Sequence, residues 1–201
     1  MFDAQIRPLM NRLLNPVGMR LATRGVTANH VTIIGVLTGL AAAVGVAFQF
    51  FDIAFWLILL SRFADGLDGA VARASVATDF GGYLDIVCDF VFYSSIPFAF
   101  ALAQPENALA SAFLVFSFIG TGSSFLAFAI LAEKHNISTE IRGKKAFYYL
   151  GGLTEGAETI LLLLAMVIWP SYFIFLAFGF GLLCWVTTIT RIYAAYRQFN
   201  H

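Results

Sequence analysis

The sequence predicts an all-α integral membrane protein, a bundle of six transmembrane helices preceded by an amphipathic helix at the membrane interface. Of the 201 residues, 60% are hydrophobic and only 12% are charged, and the mean hydropathy is +0.82. Soluble domains contain about 45–50% apolar and about 25% charged residues. A spanning helix needs roughly 20 apolar residues. The six stretches of this kind lie at about 31–50, 53–74, 80–103, 108–132, 146–169 and 172–193.

The chain is predicted to be a single domain over residues 1–201, because no repeat or low-complexity linker separates the spans. Residues 1–26 form the interfacial helix of this prediction, and residues 27–201 form the bundle. Apolar residues in the first segment recur at helical spacing against polar ones, as in a helix that lies on a membrane surface. A short helix packed against the rest of the protein is an equally compatible interpretation. A signal peptide is not expected, because the segment lacks an apolar core and a small-residue cleavage site.

The basic residues predict the orientation. If the N-terminus is cytoplasmic, all Lys and Arg residues except Arg62 in the second span lie on the cytoplasmic side. The outer turns, near residues 51–52, 104–107 and 170–171, contain no Lys or Arg. The positive-inside rule therefore predicts a cytoplasmic N-terminus. A bacterial inner membrane fits this simple topology.

Four aspartates are set into the second and third predicted spans. Residues three or four apart share a helix face, so the sequence forms two carboxylate pairs, Asp65 with Asp68 and Asp85 with Asp89. An ionised carboxylate at the centre of a membrane helix costs roughly 2.5–3.5 kcal/mol, and four of them need compensating charge. Hard oxygen ligands favour Mg²⁺ or Mn²⁺. The segment reads Asp65-Gly-Leu-Asp68-Gly69-Ala-Val-Ala72-Arg73 and, after seven residues, Gly81-Gly-Tyr-Leu-Asp85-Ile-Val-Cys-Asp89.

This segment resembles the signature of the CDP-alcohol phosphotransferase family, DxxDGxxAR followed after about seven or eight residues by GxxxDxxxD. Every signature position is met. Members of the family also have six spans, an N-terminal amphipathic helix and a length near 200 residues, so the resemblance covers essentially the whole chain. The chain looks most like poorly characterised bacterial inner-membrane members.

The resemblance implies a site that binds two Mg²⁺ or Mn²⁺ ions, with Asp65, Asp68, Asp85 and Asp89 as the ligands and Asp89 also as the general base. It also implies a nucleotide site over Gly69, with Arg73 on the diphosphate. The family contacts the nucleotide through a Pro-Asn-x-Val-Thr segment before the first span, which here has alanine in place of proline. The other residues implied in donor binding are Asn29, Thr32, Ala72, Thr78 and Gly81.

The function implied is phospholipid biosynthesis. The phosphatidyl group of CDP-diacylglycerol is transferred to an alcohol such as glycerol 3-phosphate, and CMP is released. Phosphoryl transfer depends mainly on charge neutralisation and positioning, which the metals and Asp89 would supply. Chain length favours this donor over a CDP-alcohol that reacts with a lipid alcohol, which stays the alternative. The family resemblance also implies a homodimer.

Two groups of residues are candidates for acceptor binding. Arg142, Lys144 and Lys145, in the loop before the fifth span, could bind a phosphorylated acceptor, although membrane topology and lipid headgroups also explain basic loops. Glu155 and Glu158, just inside the fifth span, could bind acceptor hydroxyls or an amine, because ionisable groups inside a bundle are candidates for function. Pairing of either glutamate with Arg62 or Arg191 is the structural alternative. Arg62 itself is expected to balance the aspartates.

Other classes of membrane protein also place aspartates in helices. Polyprenyl transferases have different aspartate spacings and no DGxxAR sequence. An intramembrane aspartyl protease requires two aspartates that share a proton and has no use for Arg73. A proton or cation transporter is the non-enzymatic alternative, but it would need an acidic path across the membrane, whereas the four aspartates are predicted at one cytoplasmic level. No nucleic-acid partner is expected.

Overall fold

The computed structural model describes residues 3–135 and 152–200, with side chains from residue 10 onward. Within these ranges the chain is helical, with short connections and no β-strand. Two 3₁₀ turns, Pro105–Asn107 and Pro170–Tyr172, precede the fifth and seventh helices. The helices are α1 Asp3–Thr23, α2 Ala28–Ala47, α3 Phe51–Ala74, α4 Asp79–Ala103, α5 Ala108–Lys134, α6 Gly156–Ile168 and α7 Phe173–Phe199.

The all-α membrane fold is confirmed, and the described helices agree closely with five of the predicted spans. Within the described ranges, four segments are long and apolar enough to cross a membrane: α2, α4, α5 with its preceding turn, and α7 with its preceding turn. The 24-residue α3 is also long enough, but its second half carries Arg62, Asp65 and Asp68. The apolar α6 has 13 residues. The count of six spans stays a prediction.

The predicted fifth span, 146–169, is wrong over its described first part, because residues 152–155 are not helical and α6 begins at Gly156. The backbone here bonds to a side chain of α7 instead. The Leu153 N–H donates to Thr187 Oγ1 at 3.1 Å, and the Thr154 hydroxyl donates to the same oxygen at 3.0 Å. A Cβ on Gly152 would overlap the Thr187 side chain. A glycine and two hydrogen bonds to Thr187 therefore hold this segment in a non-helical path.

The N-terminal helix α1 packs against α3. Leu14 is buried, and a Cβ on Gly66 would lie 2.9 Å from the Leu14 side chain. A Cβ on Gly18 would lie 2.8 Å from the Ala70 side chain. The interpretation of α1 as a helix packed on the protein is therefore correct. Helix α1 also exposes Leu13, Val17 and Met19, so a position at the membrane surface stays compatible and stays a prediction.

Helix α2 begins at Ala28 because Thr27 caps it. The Thr27 hydroxyl accepts from the His30 N–H at 3.3 Å, and the Thr27 N–H donates to His30 Nδ1 at 3.4 Å. These reciprocal bonds satisfy two donors at the helix start. The cap fixes the turn that proline would otherwise favour at the first helical position, and it places Asn29 and Thr32 in the first two turns.

The apolar core lies toward the end of the bundle remote from the aspartates. A stack of three rings joins α3, α4 and α7 there: Phe51 and Phe100 have centroids 5.8 Å apart, and Phe100 and Phe173 have centroids 4.2 Å apart. Nearer the aspartates, α2 meets α3 and α4 closely at Gly39. A Cβ on Gly39 would lie 2.9 Å from Ser61 Oγ and would overlap the Phe92 ring. Phe92 is fully buried, so its ring has no free space into which it could move.

We therefore expect Gly39→Ala to destabilise the protein, by about 1–3 kcal/mol as is typical of an overpacked core. The measurement is thermal unfolding of the purified protein in detergent. Gly179→Ala is the matched control, because Gly179 also lies in a helix and a Cβ there would meet no neighbouring heavy atom of the described residues within 4 Å. Equal melting temperatures for the two variants would contradict the tight contact of α2 with Phe92.

Candidate active site

The four aspartates meet where the last turns of α3 face the first turns of α4. Carboxylate oxygens of Asp65, Asp68 and Asp85 all lie within 4.8 Å of one another. Helical spacing places Asp65 and Asp68 on one face of α3, and Asp85 comes from α4; both helices pack against α2, which brings the three side chains together. Three carboxylate oxygens at this separation are the hard donors that Mg²⁺ and Mn²⁺ take in proteins. The residues present therefore fit a divalent metal.

Asp68 is the most enclosed member of this three-carboxylate cluster. It is only 6% exposed. The Thr32 hydroxyl of α2 donates to Asp68 Oδ2 at 2.6 Å, and its distance to the Ala28 carbonyl oxygen is longer, 3.1 Å. A hydroxyl has one proton, and the shorter bond to a charged acceptor is the stronger one. Thr32 thus fixes one oxygen of Asp68 from a third helix.

Asp89 is held differently, by an arginine. Arg62 Nη1 donates to Asp89 Oδ1 at 2.7 Å and lies 3.3 Å from Asp65 Oδ1. The Arg62 side chain is 9% exposed, whereas the Asp89 side chain is 31% exposed. Asp89 is therefore partly exposed, with one oxygen on a cation. The ion pairs agree with the balancing role expected of Arg62 from the sequence.

The guanidinium of Arg62 is also positioned by uncharged groups. Its Cζ lies 3.9 Å from the centroid of the Phe92 ring, within the range of a cation–π contact. Its Nη2 donates to Ser61 Oγ at 3.2 Å, and the Ser61 hydroxyl donates to the Gly35 carbonyl at 2.8 Å. A chain of contacts from α2 and α4 thus orients the arginine side chain that meets these aspartates.

The predicted diphosphate contact, Arg73, lies at the end of α3 beside Gly69. A Cβ on Gly69 would be 3.2 Å from Arg73 Nη1, so the glycine leaves room for the guanidinium to fold back. Arg73 is exposed, and it donates to Asn11 Oδ1 at 2.8 Å and to Asn15 Oδ1 at 3.1 Å. Helix α1 therefore orients Arg73, a role that sequence reasoning missed. Ala72, which precedes Arg73, is half-buried.

Three further predicted donor residues come together at the start of α4. Thr78 caps this helix, and its hydroxyl accepts from the Gly81 N–H at 3.0 Å. A Cβ on Gly81 would lie 3.0 Å from Asn29 Oδ1 and 3.1 Å from Thr78 Oγ1. Asn29 of α2 is thus brought against the loop before α4, and a side chain at position 81 would crowd both polar groups.

The predicted acceptor residues are only partly placed. Arg142, Lys144 and Lys145 lie outside the described residues. Glu155 immediately precedes α6, close enough to Arg191 for an electrostatic interaction, and Glu158 lies in the first turn of α6. Arg191 is buried and donates to the Thr121 carbonyl at 3.0 Å. The proximity of Glu155 to Arg191 favours the structural alternative for this glutamate.

Comparison with known proteins identifies the arrangement. The profile of the CDP-alcohol phosphatidyltransferase family matches residues 25–193. An inner membrane protein of Escherichia coli (strain K12), YnjF, is 49% identical over 197 residues, which cover 98% of this chain and 96% of the relative. An archaetidylinositol phosphate synthase of Pyrococcus horikoshii is 29% identical over 198 residues, with 97% of each chain covered.

The fold is also similar to a solved structure. The phosphatidylinositol phosphate synthase of Mycobacterium tuberculosis, crystallised with CDP-DAG bound, superposes with a TM-score of 0.72 over 92% of this chain and 94% of that one, at 19% identity. The family profile covers the aspartates and every donor residue discussed above. The chain therefore belongs to the CDP-alcohol phosphatidyltransferase family of membrane enzymes.

Proposed function

We propose that this protein transfers the phosphatidyl group of CDP-diacylglycerol to an alcohol acceptor and releases CMP. The observation that carries the proposal is the convergence of Asp65, Asp68 and Asp85 on one point, where their oxygens lie within 4.8 Å of one another. Gly69 directly follows Asp68, and Arg73 lies about one turn beyond Gly69 on α3. Membership of a transferase family replaces the proton or cation transporter as an explanation of the aspartates.

The four aspartates Asp65, Asp68, Asp85 and Asp89 are the proposed ligands of two Mg²⁺ or Mn²⁺ ions. When bound, the metals would neutralise the diphosphate and the developing charge on the departing CMP. Thr32 keeps Asp68 oriented by its 2.6 Å hydrogen bond. Gly69 gives the nucleotide access to the backbone of α3, and Arg73 holds diphosphate oxygens with the guanidinium that Asn11 and Asn15 orient. Asn29, Thr78 and Gly81 form the neighbouring polar wall of the donor site.

Asp89 is the proposed general base. Its Oδ1 is held by Arg62 at 2.7 Å, so its second oxygen is the one that takes the proton of the acceptor hydroxyl. The hydroxyl oxygen then forms a bond to the phosphorus of the phosphatidyl group, the bond from that phosphorus to the CMP oxygen breaks, and CMP leaves. A base in this role must reach substrate, and the side chain of Asp89 is 31% exposed.

We propose a phosphorylated alcohol as the acceptor, bound by Arg142, Lys144 and Lys145. Glycerol 3-phosphate fits this chemistry. The relative from Pyrococcus horikoshii is named an archaetidylinositol phosphate synthase. Inositol phosphate should therefore be assayed as an acceptor beside glycerol 3-phosphate. An unphosphorylated or amine-bearing alcohol bound by Glu155 or Glu158 is the alternative acceptor, and a CDP-alcohol with a lipid alcohol is the alternative substrate pair.

The enzyme is proposed to act as a homodimer in a bacterial inner membrane, with the N-terminus and the active site on the cytoplasmic side. This orientation places both the water-soluble acceptor and the released CMP on the side where nucleotides occur. It also places α1 at the cytoplasmic surface, where its exposed Leu13, Val17 and Met19 can enter the headgroup region.

Replacement of the base is the first prediction from this mechanism. We expect Asp89→Asn to lower CMP release from CDP-diacylglycerol by about 100-fold or more, because general base catalysis contributes roughly 10²–10⁴-fold. The assay uses purified protein in lipid with Mg²⁺ or Mn²⁺ and an acceptor. Asp52→Asn is the control, because Asp52 is an exposed acid at the opposite end of the same bundle. Substantial activity in Asp89→Asn would remove Asp89 as the base.

A second prediction concerns the hydrogen bond to Asp68. Thr32→Val removes the donor but keeps the side-chain volume, and hydrogen bonds to charged groups contribute about 1.5–3 kcal/mol. We expect the Mg²⁺ concentration for half-maximal CMP release to rise by about tenfold or more, with less change in the rate at saturating metal. Thr38→Val is the matched control, because the Thr38 hydroxyl donates to the Ile34 carbonyl of its own helix. Equal Mg²⁺ requirements in Thr32→Val and Thr38→Val would contradict the role of the Thr32 hydrogen bond in orienting Asp68 for the metal.

A third prediction separates the two acceptor hypotheses. Lys144→Ala with Lys145→Ala should raise the KM for a phosphorylated acceptor and leave the KM for CDP-diacylglycerol near that of the wild type, because a lost phosphate contact affects only the ligand that carries that phosphate. Glu155→Gln with Glu158→Gln is the paired variant. If only the glutamine variant alters acceptor kinetics, or only unphosphorylated alcohols give CMP, the phosphorylated acceptor is wrong.

A further inference from the structure

Arg62 shares carboxylates with the proposed metal site. Asp65 belongs to the three-carboxylate cluster and also lies 3.3 Å from Arg62 Nη1. The same nitrogen donates to Asp89 Oδ1 at 2.7 Å. A fixed cation and a divalent metal would therefore interact with the same acidic groups.

The positive charge of Arg62 compensates part of the negative charge of the four aspartates. Four carboxylates inside an apolar bundle are costly without compensating charge. Arg62 supplies one positive charge from a side chain that is 9% exposed, and arginine stays protonated under all ordinary conditions. In the metal-free protein it reduces the formal charge of the four-aspartate group by one, and it does so permanently.

The position of Arg62 is fixed by its surroundings. Its guanidinium lies 3.9 Å from the centroid of the buried Phe92 ring and bonds to Ser61. Among the described residues, its buried Nε has no hydrogen-bond partner. The two carboxylates, the serine and the ring therefore hold the guanidinium at the edge of the cluster. An arginine side chain exposed to water would be free to move away from the carboxylates.

We propose that Arg62 is a built-in counter-ion that holds Asp65 and Asp89 in the metal-free protein and competes with the divalent metal for them. Arg62 is thus a positioning residue, and it sets the metal affinity as well as the stability of the metal-free site. The proposal rests on the proposed metal site. A counter-ion at this place would stabilise the fold of the protein before metal binds.

The test is Mn²⁺ binding by isothermal titration calorimetry to the purified protein in detergent, without nucleotide. Arg62→Gln should bind Mn²⁺ about tenfold more tightly than the wild type or better, which corresponds to about 1.4 kcal/mol, because a neighbouring positive charge that opposes the metal is lost. In EDTA its melting temperature should be lower than that of the wild type. Addition of Mn²⁺ should raise the melting temperature of Arg62→Gln by more than that of the wild type.

Ser61→Ala is the matched control. It removes the hydrogen bond to Arg62 Nη2 and disturbs the same packing while the charge stays. We expect its Mn²⁺ affinity to stay within about threefold of that of the wild type. Its melting temperature should differ from that of the wild type by the same amount in EDTA and in Mn²⁺. Unchanged or weaker Mn²⁺ affinity in Arg62→Gln would overturn the proposal and would leave Arg62 as a packing residue.

A second comparison covers the case in which Arg62→Gln does not fold. Removal of both partners of a buried ion pair is better tolerated than removal of one, so Arg62→Gln with Asp89→Asn is compared with Asp89→Asn alone. The two proteins differ only at position 62, where one keeps the arginine and the other has an uncharged glutamine. The double variant should bind Mn²⁺ about tenfold more tightly, and equal affinities would overturn the proposal.

Failure of this proposal and failure of the proposed function give different results. No Mn²⁺ binding to the wild type would remove the metal site and the role of Arg62 with it. Metal-dependent CMP release by the wild type, together with equal Mn²⁺ affinities of wild type and Arg62→Gln, would keep the transferase and overturn only the role of Arg62.

Discussion

The rest of the structure depends on one constraint, the placement of four carboxylates within a bundle of largely apolar helices. A carboxylate in these surroundings is stabilised by a donor or a cation, because lipid and apolar side chains supply neither. Thr32 supplies the donor to Asp68, and Arg62 supplies the cation to Asp65 and Asp89. The residues that provide these groups come from α2 and α3, so the close packing of these two helices is a requirement of the site as well as of the fold.

Small residues make that packing possible. Helices in a membrane gain no hydrophobic free energy when they associate, and contacts between small residues substitute for it. Gly39 brings α2 against Ser61 and Phe92, both of which contact Arg62, and Gly18 brings α1 against α3. The ring stack of Phe51, Phe100 and Phe173 holds the remote end of the bundle. The polar end can therefore keep exposed groups such as Arg73 while the helices stay in register.

The parts of the structure predicted correctly from sequence are those set by local pattern. Apolar runs gave the helices of five predicted spans, and helical spacing gave the pairing of Asp65 with Asp68 on one face of α3, whereas their convergence with Asp85 depends on how α3 and α4 pack on α2. The start of α6 was missed because it depends on hydrogen bonds to Thr187, 33 and 34 residues away in the chain. The contact of Asn11 and Asn15 with Arg73 was missed for the same reason. Their spacing of four places them on one face of α1, but only the packing of α1 on α3 identifies the partner.

Four chemically identical residues become unequal through their surroundings, and this inequality is what a transferase needs. Asp68 is 6% exposed and held by a neutral hydroxyl, which suits a fixed ligand. The side chain of Asp89 is 31% exposed, with one oxygen on Arg62, so the other oxygen can meet a substrate hydroxyl. Catalytic carboxylates are commonly assigned different tasks by such differences in environment. In the proposed mechanism Arg62 therefore has two effects that reinforce each other: it lowers the charge that opposes folding, and it fixes the orientation of Asp89, the proposed general base.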